Sequence, residues 1–129
     1  MIEYDWQKIG MIYEAGSDNE FLLTHASNPL PLHIGGNLYR IFYSGRDKQN
    51  RSSVSYVDYD ISSLTVIEDP KKPILEYGPE DSFYSHGITL GNFWKEKGEI
   101  YIGFMGWQNT KGVHCDRDWE TETIFWAVF

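Results

Sequence analysis

Side chains able to bind a polar ligand concentrate in the short connections between the apolar segments of this sequence. Aromatic rings stack on the apolar faces of sugars, while amide, carboxylate and guanidinium groups form paired hydrogen bonds with sugar hydroxyls. A saccharide or another small polar molecule is therefore the predicted ligand. The predicted ligand-binding residues are His25, Asn28, Arg46, Asp47, Arg51, His86, Trp107, Gln108 and Asn109.

Carboxylates in the same connections are the candidates for catalytic chemistry. Glycoside hydrolysis needs two of them, one as general acid and one as base or nucleophile. The candidate acids here are Asp47, Asp116 and Asp118. His114 and Cys115 lie directly before Asp116, but no second spaced pair of ligands accompanies them, so we predict no metal site and no cofactor.

The elements that must position these groups are predicted to be strands. Segments rich in β-branched and aromatic residues lie at 38–45, 52–60, 64–69, 99–106 and 123–129. The connections at 35–37, 46–51, 69–73 and 95–98 hold turn-forming residues, so consecutive strands are expected to be antiparallel neighbours. No long stretch has the apolar spacing of a helix, so the predicted fold class is all-β.

The two halves of the chain also resemble each other at an offset of 62 residues. Residues 11–21 echo 73–83, residues 36–39 echo 98–101, and Phe42 matches Phe104. Repeats of this length with four antiparallel strands are typical of β-propeller blades. We therefore predict one domain, 1–129, holding about two blades, with repeat 1 at about 8–60 and repeat 2 at about 70–129. Chance similarity between two β-rich halves is the alternative.

The strands of each predicted blade are named A to D from the inside outward. The first blade has A to D at 26–34, 38–45, 52–60 and 64–76, and the second has A to C at 87–94, 99–106 and 122–129. By the same alignment Lys8–Glu14 is a spare D-like strand, and the second C strand is an open edge that it could cover. We predict either a closed homo-oligomer sharing strands, a dimer or trimer, or a compact sandwich-like pair of sheets.

Strand direction brings the D–A and B–C connections to the same end of the sheets, and that end would collect the candidate residues. Structural alternatives stay open for several of them. Arg46 and Asp47 could simply form a salt bridge across the turn, and Asn50-Arg51 favours turn chemistry. His25 and His86 hold equivalent repeat positions, which favours hydrogen bonds to the backbone near a strand start. The long loop between Trp107 and Trp119 favours a functional or interfacial role.

Composition excludes several classes of function. A chain of 129 residues and 15.0 kDa has room for one domain. Its formal net charge of −8 argues against nucleic acid and anionic membranes as partners. We find no membrane-spanning apolar run and no signal-peptide pattern, so we expect a cytoplasmic protein. The single cysteine, Cys115, cannot form an internal disulfide.

Several motifs resemble a known group of enzymes. The runs 25–29, 36–47 and 50–58 look like the opening blade of five-bladed propellers related to glycoside hydrolase families 32 and 43. The segments 73–78 and 98–107 resemble the second blade of these proteins. The similarity is greatest to uncharacterised members found with polysaccharide biosynthesis genes. It covers nearly the whole chain but only about two of the five blades.

The resemblance implies three carboxylates around a central channel, and this sequence departs from that pattern. The first position, just before Pro29, holds Asn28, and the second reads Ser85-His86, while the third would lie on a blade outside this chain. An amide cannot act as a general base. We therefore expect a non-catalytic carbohydrate-binding or carbohydrate-related half-propeller module. The alternatives are a glycosidase-like enzyme using the three candidate aspartates, or a structural or protein-interaction module that recruits a partner by strand addition.

Overall fold

The computed structural model describes residues 4–16 and 19–108 and the backbone of 125–128. These residues contain no helix and form seven strands, which confirms the all-β prediction. Within the described ranges there is accordingly no helix long and apolar enough to cross a membrane. The strands are β1 (Thr24–Gly35), β2 (Leu38–Arg46), β3 (Ser52–Asp60), β4 (Thr65–Glu68), β5 (Gly87–Glu96), β6 (Glu99–Trp107) and β7 (Phe125–Val128).

The strands form two antiparallel meanders. The first meander is β1 to β4, and the second meander is β5 to β7, each strand pairing with the next in sequence. A single parallel pair, Ser52 of β3 beside Gly87 of β5, joins the two into one open sheet. The strand order is β1-β2-β3-β5-β6-β7, with β4 attached to β3.

A buried apolar cluster holds the two meanders face to face. Because successive side chains of a strand point to opposite faces, Phe42 and Val54 of the first meander face inward while their neighbours Tyr43 and Ser53 face away. They pack with side chains from both meanders, and the fully buried ring of Phe104 is the largest of these. The buried members of this cluster are Leu30, Leu32, Phe42, Val54, Ile88, Leu90 and Phe104.

The opposite face of the first meander carries a second, smaller cluster. Tyr43 and Val57 are buried there together with Leu22. Tyr13 and Phe21, which precede β1, pack against them. The segment before β1 therefore covers the face of the first meander that points away from the second meander.

Small polar residues allow the two meanders to approach each other where they join. Ser44, Ser52, Ser53 and Ser55 are almost completely buried. The Ser52 hydroxyl donates a hydrogen bond of 2.7 Å to the carbonyl of Ile88, and the Ser44 and Thr89 hydroxyl oxygens are 3.1 Å apart. Each of these buried hydroxyls thus has a partner, which offsets the cost of removing it from water.

Two predicted strands differ from the structure. The outer strand predicted at 64–76 is only β4, because Asp69 turns the chain by accepting a hydrogen bond from the Lys71 amide and the following prolines cannot donate to a ladder. The D-like strand predicted at Lys8–Glu14 is absent, since residues 4–16 have no strand partner among the described residues. Gly10 interrupts this segment with a φ of 98°.

Several contacts of the first meander recur at corresponding places in the second meander. The Leu23 amide donates to the Arg46 carbonyl at 2.9 Å, and the His86 amide donates to the Trp107 carbonyl at 3.1 Å at the corresponding place. Likewise, an added Cβ on Gly45 would meet Leu22, and one on Gly106 would meet Tyr84. These contacts agree with an internal repeat, and the arrangement of the halves as propeller blades stays a prediction.

Candidate functional site

One end of the joined sheet carries a continuous row of paired residues, which we call the paired end. The row runs across five strands, since Thr24 pairs with Arg46, Arg46 with Ser52, Ser52 with Gly87, and Gly87 with Trp107. The β2–β3 connection and the segment leading into β5 both arrive at this end. The candidates in or beside the row are His25, Arg46, Asp47, Arg51, His86, Trp107 and Gln108.

Asp47 organises the turn between β2 and β3. Its side chain is 5 % exposed, and its carboxylate accepts three hydrogen bonds of 2.8 Å, from the Gln49 amide, the Arg51 amide and the Arg51 Nε. A carboxylate has about four lone-pair sites, so most of its capacity is used inside the turn. Asp47 pairs with Arg51 and not with Arg46, the partner considered from sequence, because adjacent residues leaving a strand point to opposite faces.

Arg51 is fixed from two directions. Its Nε is held by Asp47, and its guanidinium carbon lies 4.0 Å from the centre of the Tyr77 ring. The side chain is still 33 % exposed. A guanidinium that is already oriented loses little conformational freedom when it binds a ligand, so this geometry suits recognition of hydroxyl or carboxylate oxygens.

His86 lies beside this arginine. Its carbonyl accepts a hydrogen bond of 3.3 Å from the Ser52 amide, directly after Arg51 in sequence. Burial and the positive charge of Arg51 lower the pKa of His86 below its ordinary value of 6.5, although Asp47 partly opposes this. The imidazole is therefore neutral at pH 7 and can donate from one nitrogen and accept at the other.

A cavity of about 140 Å³ lies at the β2–β3 turn. It is smaller than the ~300–1,000 Å³ clefts that enclose drug-sized ligands, so it could hold only one end of a ligand, such as a single ring. Acidic side chains, basic side chains and an aromatic ring line this cavity. The lining residues are Glu20, Asp47, Lys48, Gln49, Arg51 and Tyr77.

Two further candidates make local contacts away from this cavity. The Asn28 side-chain amide donates to the Thr89 hydroxyl at 2.6 Å, so it ties β1 of the first meander to β5 of the second. The exposed His25 ring contacts the Thr24 hydroxyl at 2.8 Å. Both residues have a positive φ, 52° for Asn28 and 64° for His25. Asn28, which stands where the resemblance implies an acid, thus has a structural partner.

Comparisons with known proteins give two relatives. They are uncharacterised proteins from two strains of Mycobacterium tuberculosis, each 32 % identical to this chain over 117 residues. The aligned region is 84 % of this chain but 39 % of each relative, so the chain spans about two fifths of the length of these curated relatives. No protein-family model matches the chain, and no solved structure matches it.

The structure also adds residues to the site that the sequence analysis does not include. Tyr77 and Glu20 lie in connections before strands, and no spacing pattern there indicates that they reach the β2–β3 turn. Phe21 packs against Tyr77 with ring centres 5.5 Å apart, which positions that ring under Arg51. The remaining predicted site residues, Asn109, Asp116 and Asp118, lie outside the described residues.

Proposed function

We propose that this chain is a carbohydrate-binding module and that a sugar ring or its substituents bind at the paired end. The observation that carries the proposal is the orientation of Arg51 between Asp47 and the Tyr77 ring, at the edge of a small cavity. An arginine, an aromatic ring and a neutral histidine beside each other provide the paired donors and the apolar face that sugar recognition uses. His86 and Trp107 extend this surface across the join between the meanders.

A non-catalytic role fits the residues at the described positions. Asn28 holds an amide where the enzymes that this sequence resembles need a carboxylate, and the amide is hydrogen-bonded to Thr89. Asp47 is occupied by three donors within its own turn. A general base must be free to accept a proton from the reacting group, and Asp47 would have to give up part of its turn to do so.

The half-propeller interpretation is part of the same proposal. Its support is the pairing of four and three strands in two successive meanders, their shared contacts, and the length relation to the relatives. Two of five equal blades would be two fifths of a full propeller, and the aligned region is 39 % of each relative. The relatives therefore have the length that further blades would need.

Binding can be tested by titrating the isotope-labelled chain with sugars and following its amide resonances. We expect millimolar glucose, galactose, arabinose or xylose, or a short oligomer of one of them, to shift the resonances of Arg51, His86 and Trp107. The variant Arg51→Lys loses the planar fork and the ring stacking, so the dissociation constant should rise about tenfold, which is about 1.4 kcal/mol.

The chain offers a matched control for that variant. Arg40 also lies 4.0 Å from a tyrosine ring, that of Tyr56, and is paired with Asp58 at 2.9 Å, but β2 places it far along the strand from the paired end. Arg40→Lys should leave the dissociation constant unchanged. If no sugar shifts the paired-end resonances, or if both variants weaken binding equally, the proposal is wrong.

A further inference from the structure

Two backbone hydrogen bonds in the first meander show what covers the outer edge of β3. The Ile74 amide donates to the Val54 carbonyl at 2.8 Å, and the Val54 amide donates to the Leu75 carbonyl at 2.8 Å. Val54 lies in β3, whose other edge is paired with β2. The segment that follows β4 thus returns to satisfy the outer edge of β3.

The second meander has an equivalent position. Gly45 and Gly106 hold equivalent positions in the two meanders. Val54 pairs with the residue before Gly45, and Trp126 pairs with the residue before Gly106. Trp126 of β7 therefore corresponds to Val54 of β3. Among the described residues β7 pairs with β6 alone, so no described residue covers its outer edge, and a strand edge is a template for pairing with another segment.

The segment before β1 contains the matching residues. At the repeat offset of 62, Ile12 and Tyr13 correspond to Ile74 and Leu75. Residues 4–16 make no backbone hydrogen bond to any other described residue. This segment is also unusually apolar for an exposed one, since Trp6 is 87 % exposed and Met11 is 77 % exposed. Unpaired backbone and exposed apolar side chains are what a strand added to a sheet edge would bury.

The position of the segment in its own chain identifies the partner. The Tyr13 hydroxyl lies 3.2 Å from the Tyr43 hydroxyl and donates to Asp69 at 3.2 Å. These contacts place the segment on the face of the first meander that points away from the second meander. The β7 edge of the same molecule is on the other side of the first meander, so the edge that this segment can reach belongs to a second molecule.

We infer that Ile12 and Tyr13 of one copy of this chain pair with Trp126 of a second copy, in the way that Ile74 and Leu75 pair with Val54. The contact is heterologous, because two different surfaces meet, and such contacts give a finite assembly only when they close into a ring. Two copies would bring together four meanders and three copies six, and both numbers lie within the roughly four to eight sheets of closed propellers. The inference does not depend on sugar binding.

The test is the molar mass in solution, measured by light scattering at several concentrations for the chain and two proline variants. Ile12→Pro removes the amide hydrogen that corresponds to the Ile74 donor, so the dissociation constant should rise about tenfold or more. Met11→Pro is the control, because the residue equivalent to Met11 is Pro73, which the first meander already accommodates. We expect a mass two or three times 15.0 kDa for the unmodified chain and for Met11→Pro.

Amide exchange gives a second readout that needs no substitution. The Ile12 amide should exchange at least tenfold more slowly in the assembled chain than in the diluted monomer, while exchange of the β4 amides, which the contact does not involve, should not change. Far-ultraviolet circular dichroism checks that both variants keep the strand content of the unmodified chain. A mass of 15.0 kDa at every concentration, an Ile12→Pro variant that assembles as well as Met11→Pro, or an Ile12 amide that exchanges equally fast in both states would each overturn the inference.

Discussion

Replacing Asp47 by alanine should destabilise the protein strongly, although Asp47 lies in a turn at the surface end of two strands. The change leaves the Gln49 and Arg51 amides without their acceptor and the Arg51 guanidinium without its partner. Each abandoned backbone donor costs about 1 kcal/mol, and the ion pair adds about 1 kcal/mol because Arg51 is partly exposed to water. The expected loss is therefore about 3 kcal/mol.

Thermal denaturation followed by circular dichroism measures this loss directly. For a domain of this size, about 3 kcal/mol lowers the melting temperature by roughly 10 °C. Asp47→Asn keeps an oxygen for the amides and loses only the ion pair, so it should lower the temperature by about one third as much.

Asp60 supplies the control for the Asp47 variants. Its carboxylate also holds a turn, accepting hydrogen bonds from the Ser62 hydroxyl and from the Ser62 and Ser63 amides. These hydrogen bonds, the one from the Ser62 hydroxyl above all, keep the pKa of Asp60 below the ordinary value of 3.8. Asp60 is only half-buried, whereas Asp47 is buried. Water can replace the carboxylate there, so Asp60→Ala should shift the melting temperature much less than Asp47→Ala. Equal shifts in the two alanine variants would show that burial of the Asp47 turn does not determine its contribution.

Two further predictions concern packing and pH. An added Cβ on Gly106 would lie 2.7 Å from the Tyr84 Cβ, whereas on Gly103 it would lie 3.6 Å from its nearest neighbours, so urea unfolding should show a loss of about 1–3 kcal/mol for Gly106→Ala and almost none for Gly103→Ala. The pKa of His86 is lower in the folded protein than its ordinary value of 6.5, so as the pH falls the unfolded chain binds the proton before the folded protein does. The stability that neutral His86 contributes is therefore complete above about pH 6.5 and is lost as the pH falls through the pKa of the folded state. The urea midpoint should therefore fall less between about pH 7.5 and 5.5 in His86→Gln than in the unmodified chain, and an equal fall in both would contradict the assignment.

The sequence predicts best those strands in which the residue pattern and the tertiary packing favour the same conformation. The predicted strand at 52–60 coincides with β3, and the predicted strand at 38–45 differs from β2 by one residue. Both are rich in aromatic and β-branched residues and are buried on both faces, so local preference and tertiary packing favour the same conformation. The outer strand at 64–76 is overestimated because apolar residues such as Ile74 continue past the turn at Asp69, where the backbone leaves the ladder.

Part of the candidate site can be predicted from the sequence, and part of it cannot. Strand direction alone places the β2–β3 turn and the start of β5 at one end, and the pairing of Ser52 with Gly87 agrees with this geometry. Strand alternation would also have excluded Arg46 as the partner of Asp47. The stacking of Arg51 on Tyr77 could not be predicted, because Tyr77 belongs to a connection whose path depends on the packing of Phe21 and not on any local pattern.

The join between the meanders and the candidate site are one piece of structure. Ser52 pairs with Gly87, donates its hydroxyl to the Ile88 carbonyl and donates its amide to the His86 carbonyl, and Arg51 directly precedes it. A change that separates the meanders must therefore move His86 relative to Arg51. Because the only strand pair joining the two meanders lies at this end of the described sheet, the geometry of a ligand bound there depends on how firmly the two meanders are held together. A ligand that contacts both His86 and Arg51 would in turn stabilise the join, and a partner that holds the meanders together would strengthen ligand binding by the same factor.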